Sequence, residues 1–165
     1  MENIRHLVKL AAEEDMFVRL DMEDHRVTTD TINAVVALHK EGLTNVGTVL
    51  QGRLFRTLAD IDTLETELGP AADYRICKGI YLEPEEISFT GYRDIVDATN
   101  AAIDRMLTAG AYVGVASHDQ AVVDHTLSAL QSHGMGPGVP DPRDNAGPLR
   151  PVSYTHLTLP TRLPV

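Results

Sequence analysis

Two hydrophobic periods alternate along the chain. Ile4, Leu7, Val8 and Ala11 recur at helical spacing and predict an amphipathic helix over the opening dozen residues. Phe17-Val18-Arg19-Leu20 reads as a strand running into the acidic cluster Asp21-Met22-Glu23-Asp24. Thr28 or Thr29 is expected to cap the next helix, which buries Ile32, Val35, Val36 and His39 and stops at Gly42. Val46 to Leu50 is a second strand, ending at Gln51-Gly52. Thr57-Leu58-Ala59-Asp60 resembles a capping box with Asp in place of Glu. It opens a helix with Leu58, Ile61, Leu64 and Leu68 on one side, closed by Gly69-Pro70.

A third strand starts near Tyr74 and covers Arg75-Ile76-Cys77-Lys78 before Gly79 lets the chain turn sharply. After a loop with Pro84 and the acids Glu83, Glu85 and Glu86, a helical stripe runs through Tyr92, Ile95, Val96, Thr99, Ala102, Ile103, Met106 and Leu107 to Gly110. Tyr112 to Ala116 is a fourth strand, ending in Ser117-His118-Asp119, and Asp119 can cap a last helix carrying Val123, Thr126, Leu127 and Leu130. The order is α-β-α-β-α-β-α-β-α with a repeat of roughly 30 residues, the pattern of βα units on a parallel sheet. Four strands are too few to close an eight-stranded barrel. The fold class is α/β, either a small open sheet or about half of a (β/α)8 barrel.

Each strand carries its polar residue at the C-terminal end: Asp21, Gln51, Lys78 and His118. That is the end at which barrels and open α/β sheets build their sites. Alternation puts Arg75, Cys77 and Gly79 on one face and Ile76 and Lys78 on the other. An inward mid-strand arginine is uncommon, so Arg75 calls for something inside the fold that uses its charge. Asp21 shares parity with Arg19, which suggests an ion pair between them; Glu23 and Asp24 read at least as readily as helix caps or solvated loop acids as they do as site residues. Gln51 can read the edge of a heterocycle in both hydrogen-bonding senses, though a Gln at a strand end is more often a turn residue. His118 stands beside Asp119, which can fix its tautomer. Gly47, Gly114 and Ala116 are the small positions on the inward faces, leaving room for a large flat group or simply a tightly packed interior.

Composition narrows this picture. Net charge is −10 over 165 residues, which argues against nucleic acid as the main partner. Cys77 is the single cysteine, so neither an internal disulfide nor a zinc knuckle is encoded. No apolar run reaches the roughly 20 residues of a membrane span, and the N-terminus lacks the apolar core of a signal peptide. A cytoplasmic protein is expected. Asp21, Glu23, His25, His118 and Asp119 lack the fixed spacing of a metal site, so no metal is expected. No GxGxxG fingerprint occurs, and the glycines after Gly134 lie in a Pro-rich loop. Residues 1–133 are expected to form the folded part and 134–150 a linker. Pro151 to Val165 resembles the conceptual translation of a transposase-type sequencing adapter and is read as a non-native or disordered tail.

Four motifs then converge. Phe-Val-Arg-Leu-Asp-Met-Glu-Asp (17–24), Val-Leu-Gln (49–51), Arg-Ile-Cys-Lys-Gly-Ile-Tyr-Leu-Glu-Pro (75–84) and Ala-Ser-His-Asp (116–119) resemble, in order, the strand ends of bacterial proline dehydrogenase. The resemblance covers roughly residues 1–133. It implies a partial (β/α)8 barrel, FAD as cofactor and oxidation of L-proline to 1-pyrroline-5-carboxylate. Electrons would pass to a quinone at the membrane surface, with peripheral attachment to the inner membrane as a variant of the cytoplasmic expectation. By position, Arg75 matches the arginine set against the flavin N5 region and Asp21 the active-site aspartate. Met22, Gln51, Lys78, Gly79, Ile80, Ser117 and His118 match flavin-contacting positions, the Lys78–Ile80 segment through its backbone, and Tyr81 matches the tyrosine facing the substrate. Serine replaces the family's threonine at 117, and Ile80 stands where alanine is common. The family also has an earlier lysine-bearing strand and a final Tyr-x-x-x-Arg-Arg helix, neither found in this sequence, so the chain is expected to be an inactive fragment of the enzyme. The rivals are a Schiff-base lyase using Lys78, which strand parity disfavours, and a non-catalytic fragment.

Overall fold

A computed structural model describes residues 1–134, and the expected linker beyond Gly134 and the tail at 151–165 lie outside them. The elements are α1 (Glu2–Glu13), β1 (Val18–Leu20), α2 (His25–Lys40), β2 (Val46–Gln51), α3 (Thr57–Leu68), β3 (Asp73–Cys77), α4 (Tyr92–Thr108), β4 (Tyr112–Ala116) and α5 (Gln120–Ser132), with a 3₁₀ turn at Gly69–Ala71. The four strands form one parallel sheet in the order β1-β2-β3-β4. Sequential order in one direction means that right-handed crossovers lay α2, α3 and α4 on the same face. A doubly wound sheet would instead reverse at a switch point. The fold is thus α/β, a partial (β/α)8 barrel of about four βα units.

Side chains on the convex face enter the core. Leu50, Tyr74 and Ile76 are fully buried against Ile32, Ile61, Ile103, Met106 and Val122 from α2 to α5. Burying each such side chain contributes roughly 1.5–3 kcal/mol. A second cluster, Val8, Val35, Leu38 and Val46, seals the N-terminal end of the sheet beneath α1. His39, from the expected buried face of α2, is only part-buried and bridges to the Val46 carbonyl at 2.7 Å.

The concave face carries the other parity. The register sets Val49 beside Arg75 and Arg75 beside Gly114, and one step further Gln51 beside Cys77 and Cys77 beside Ala116. Gly47 does not leave room there: a Cβ would sit 2.5 Å from the Asp73 carbonyl and 2.8 Å from Arg19 Nη1. Arg19 does not pair with Asp21 as its parity suggested. Its guanidinium meets Asp73 at 2.5 Å and the Asp73 carbonyl at 3.1 Å, because Asp21 already lies past the strand end.

Several local expectations are corrected by tertiary contacts. Asp24, not Thr28 or Thr29, caps α2 by accepting the Arg26 N–H at 3.0 Å, and Thr28 is a buried residue inside the helix. Phe17 lies outside β1 and stacks against Arg19, 5.0 Å from guanidinium to ring. At α3 no capping box forms: Thr57 donates to the Gln51 carbonyl at 2.5 Å, and Asp60 is taken by Arg56 at 2.7 Å. Leu58 and Tyr92, expected on buried faces, are exposed.

Candidate active site

The C-terminal ends of all four strands open onto one cleft of about 570 Å³. Every residue that the resemblance placed in the site lines it: Asp21 and Met22 after β1, Gln51 at the end of β2, Arg75 in β3, Lys78, Gly79, Ile80 and Tyr81 after it, and Ser117 and His118 after β4; His25 and Asp24 do not. Cys77, Ala116, Glu23 and Asp119 complete the wall.

Arg75 projects from the concave face of β3. Its Nη1 lies 3.2 Å from Asp21 Oδ1, and the same oxygen accepts the Met22 N–H at 3.0 Å. The β1–α2 turn therefore delivers a carboxylate that orients the guanidinium without burying it: the two side chains stay 38% and 74% exposed. Beside Arg75, the Cys77 thiol points to the Leu50 carbonyl at 3.6 Å, and burial pushes its pKa up against the pull of the Arg75 charge.

Gln51 is buried at the end of β2 and donates from Nε2 to the Glu23 carbonyl at 2.5 Å. Its Oε1 is buried with no hydrogen-bond partner among the described residues. Gly79, at φ 98°, lies over it: a Cβ there would come within 2.9 Å of Gln51 Oε1 and 2.8 Å of Arg53 Cδ. That close approach, and the positive φ, explain the glycine.

Lys78 departs from its expected position. Strand alternation holds only to Cys77, and beyond it the chain turns, so Lys78 lines the same cleft as Arg75. Its ammonium is bound to Asp119 Oδ2 at 2.6 Å and lies 5.2 Å from the centre of the Tyr92 ring. Tyr92 donates its hydroxyl to Asp119 Oδ1 at 3.0 Å, and Asp119 caps α5 by accepting the Ala121 N–H at 3.1 Å, as expected of it. The hydrogen bond from Lys78 holds the Asp119 carboxyl below its ordinary pKa, and that carboxylate in turn raises the Tyr92 phenol. Ser117 Oγ accepts the Asp119 N–H at 3.1 Å, which shapes the turn presenting His118.

Tyr81 donates to Glu23, and that bond raises its pKa. Glu23 thus does more than solvate a loop. Two buried charges were not singled out from the sequence. Arg53 is buried and donates to the Tyr81 carbonyl. Glu83 is buried against His25 at the start of α2. A charged residue within a run of charges gives no sign of which member the fold will bury. Among the described residues no three His, Cys, Asp or Glu side chains converge as a metal site would require, and no helix is long and apolar enough to cross a membrane.

Residues 3–137 match the family model described as proline dehydrogenase. The chain is 35% identical over 137 residues to the proline dehydrogenase of Deinococcus radiodurans, an alignment covering 82% of this chain and 43% of that protein. It is 32% identical over 134 residues to proline dehydrogenase 2 of Bacillus subtilis, covering 81% and 43%. The chain therefore spans less than half the length of these relatives. Among solved structures, proline utilization A (PutA) from Bdellovibrio bacteriovorus, inactivated by N-propargylglycine, superposes with a TM-score of 0.75 at 18% identity, over 82% of this chain and 16% of that one. At that identity the likeness speaks for the fold.

Proposed function

The chain belongs to the proline dehydrogenase family, and from that premise we propose that the protein it is part of oxidises L-proline to 1-pyrroline-5-carboxylate with FAD as the electron acceptor. The observation that carries the reading is the cleft at the strand ends, which Arg75, Gln51 and the Ser117–His118 turn line together. These residues fit a flavin. Gln51 Oε1 is a buried acceptor without a donor among the described residues, which a heterocycle's N–H would supply, and Arg75 keeps a half-exposed cation in the same cleft. Met22, Gln51, Arg75, the backbone of Lys78, Gly79 and Ile80, and the Ser117–His118 turn would hold it. When bound, FAD supplies a ring that accepts hydride.

The chain's own groups would do the rest. Arg75 places positive charge where negative charge develops as the electron pair leaves the substrate. Asp21 orients Arg75. Tyr81, tied to Glu23, presents its phenol to the substrate side of the cleft. Proline loses a hydride from the ring carbon next to nitrogen and a proton from nitrogen, which leaves the C=N bond of the product. A quinone at the membrane surface would then take the two electrons. The Schiff-base alternative is weakened by the ion pair at Lys78, since an ammonium bound to Asp119 offers no lone pair to a carbonyl.

The test is anaerobic mixing of the full-length flavoprotein with L-proline. Loss of the oxidised-flavin absorbance together with formation of 1-pyrroline-5-carboxylate is the expected result. A protein that retains its flavin but is not reduced by proline would overturn the reading. Borohydride trapping of a substrate on Lys78 would revive the lyase.

A further inference from the structure

Tyr81 and Glu83 are fastened to the start of α2 by two rungs. The Tyr81 hydroxyl donates to Glu23 Oε2. Two residues further along both segments, Glu83 Oε1 accepts the His25 backbone N–H at 2.9 Å, and Glu83 Oε2 meets His25 Nδ1. The Glu83 side chain is only 2% exposed, while Glu85 and Glu86 beside it are exposed. A carboxylate loses hydration on burial and stays buried only where hydrogen bonds replace it. Here the replacements all come from one residue, His25.

The segment between has little else to hold it. Ile80 and Leu82, flanking Tyr81, are 86% and 96% exposed. Apolar packing therefore does not orient this peptide, and its polar anchors do: Arg53 on the Tyr81 carbonyl, Glu23 on the hydroxyl and Glu83 on α2. The far side of the loop is anchored separately: the Phe55 N–H donates to the Ile87 carbonyl at 3.0 Å and the Phe89 N–H to the Arg53 carbonyl at 2.8 Å, which leaves residues 80–83 to their own anchors.

We propose that Glu83 is a positioning residue for Tyr81: its grip on His25 holds the loop after β3 against α2, so that the phenol stays on Glu23 at the substrate side of the cleft. This deepens the reading of the cleft as a proline site and rests on it. Without the Glu83 rung, residues 80–83 pivot about Gly79 and the phenol leaves its place, while the flavin-facing residues on β2, β3 and β4 are untouched.

The experiment compares Glu83→Ala, Glu83→Gln and Tyr81→Phe in the full-length flavoprotein, with the Glu83→Ala/Tyr81→Phe double variant. Glu83→Ala is expected to raise KM for proline about tenfold, with flavin content unchanged and kcat changed less. Gln keeps an acceptor for the His25 N–H and can donate to a neutral imidazole, so Glu83→Gln should stay close to wild type. In the Tyr81→Phe background, Glu83→Ala should add little, because residues acting through one another are non-additive. In flavin-free protein, amide exchange across 79–84 should be faster in Glu83→Ala than in wild type. An unchanged KM, or an equal penalty in both backgrounds, overturns the proposal. Should Glu83→Ala fail to fold, His25→Ala takes its place in the same cycle, since it removes the side-chain rung and keeps the backbone one. A wild-type protein inert to proline refutes the functional reading instead, and the exchange measurement then decides alone whether Glu83 fixes the loop.

Discussion

Replacing Arg75 by methionine separates what the cleft does from what the fold needs. Arg75 makes one ion pair, to Asp21 at 3.2 Å, between side chains 38% and 74% exposed. Pairs this exposed are worth about 0–1 kcal/mol, and methionine keeps most of the stem that lies along the concave face. Unfolding stability should therefore fall by less than about 1 kcal/mol. The cost to chemistry is set by a different quantity. A preorganised charge facing developing charge in a site is worth roughly 10²- to 10³-fold in rate when removed. Stopped-flow reduction of the bound flavin by L-proline, in the full-length protein, should fall by about that factor, while the urea midpoint barely moves. Reduction within about threefold of wild type would remove Arg75 from the mechanism. A parallel collapse of stability would show that it holds the sheet rather than the reaction.

Three further outcomes follow from single residues. Asp119 has its carboxyl pKa lowered by Lys78, so its pair adds stability above the unfolded-state value near ~3.9 and loses it as pH falls through the lower folded value; wild type should outlast Asp119→Asn in urea at neutral pH, the gap closing below about pH 4. Tyr74 is fully buried with its hydroxyl lacking a hydrogen-bond partner among the described residues, and burial raises its pKa; Tyr74→Phe should be neutral or stabilising by about 1 kcal/mol in thermal melts, and a clear loss would refute this. Gly52 lies against α4, where a Cβ would fall 2.8 Å from the Thr99 Cα; since backbone must move, Gly52→Ala should cost about 1–3 kcal/mol or more, read from the urea midpoint.

Period-two alternation carries as far as the backbone stays a strand, and the errors in reading this sequence begin where it stops. The concave row Arg75–Gly114 and Cys77–Ala116 was legible because each residue lies inside β3 or β4. One residue past Cys77 the rule assigned Lys78 to the wrong side, and the fold turns it into the cleft instead. Asp21 shows the same limit: parity linked it to Arg19, yet beyond Leu20 it reaches Arg75, while Arg19 takes Asp73 two strands away. Charged residues in runs were illegible for a different reason. Glu83, Glu85 and Glu86 are chemically alike, and only the approach of α2 makes Glu83 the buried one. Asp24 was hidden likewise among Asp21 and Glu23 until its bond to the Arg26 N–H marked the helix start. The placement of strand-end side chains was thus legible in the sequence because the sheet sets it by register, whereas the polar anchors of the loops depend on which helix lies opposite. It follows that substitutions at the strand ends should alter chemistry with little change in fold, and that substitutions at Glu83 or Asp119 should act through the geometry of the neighbouring turn.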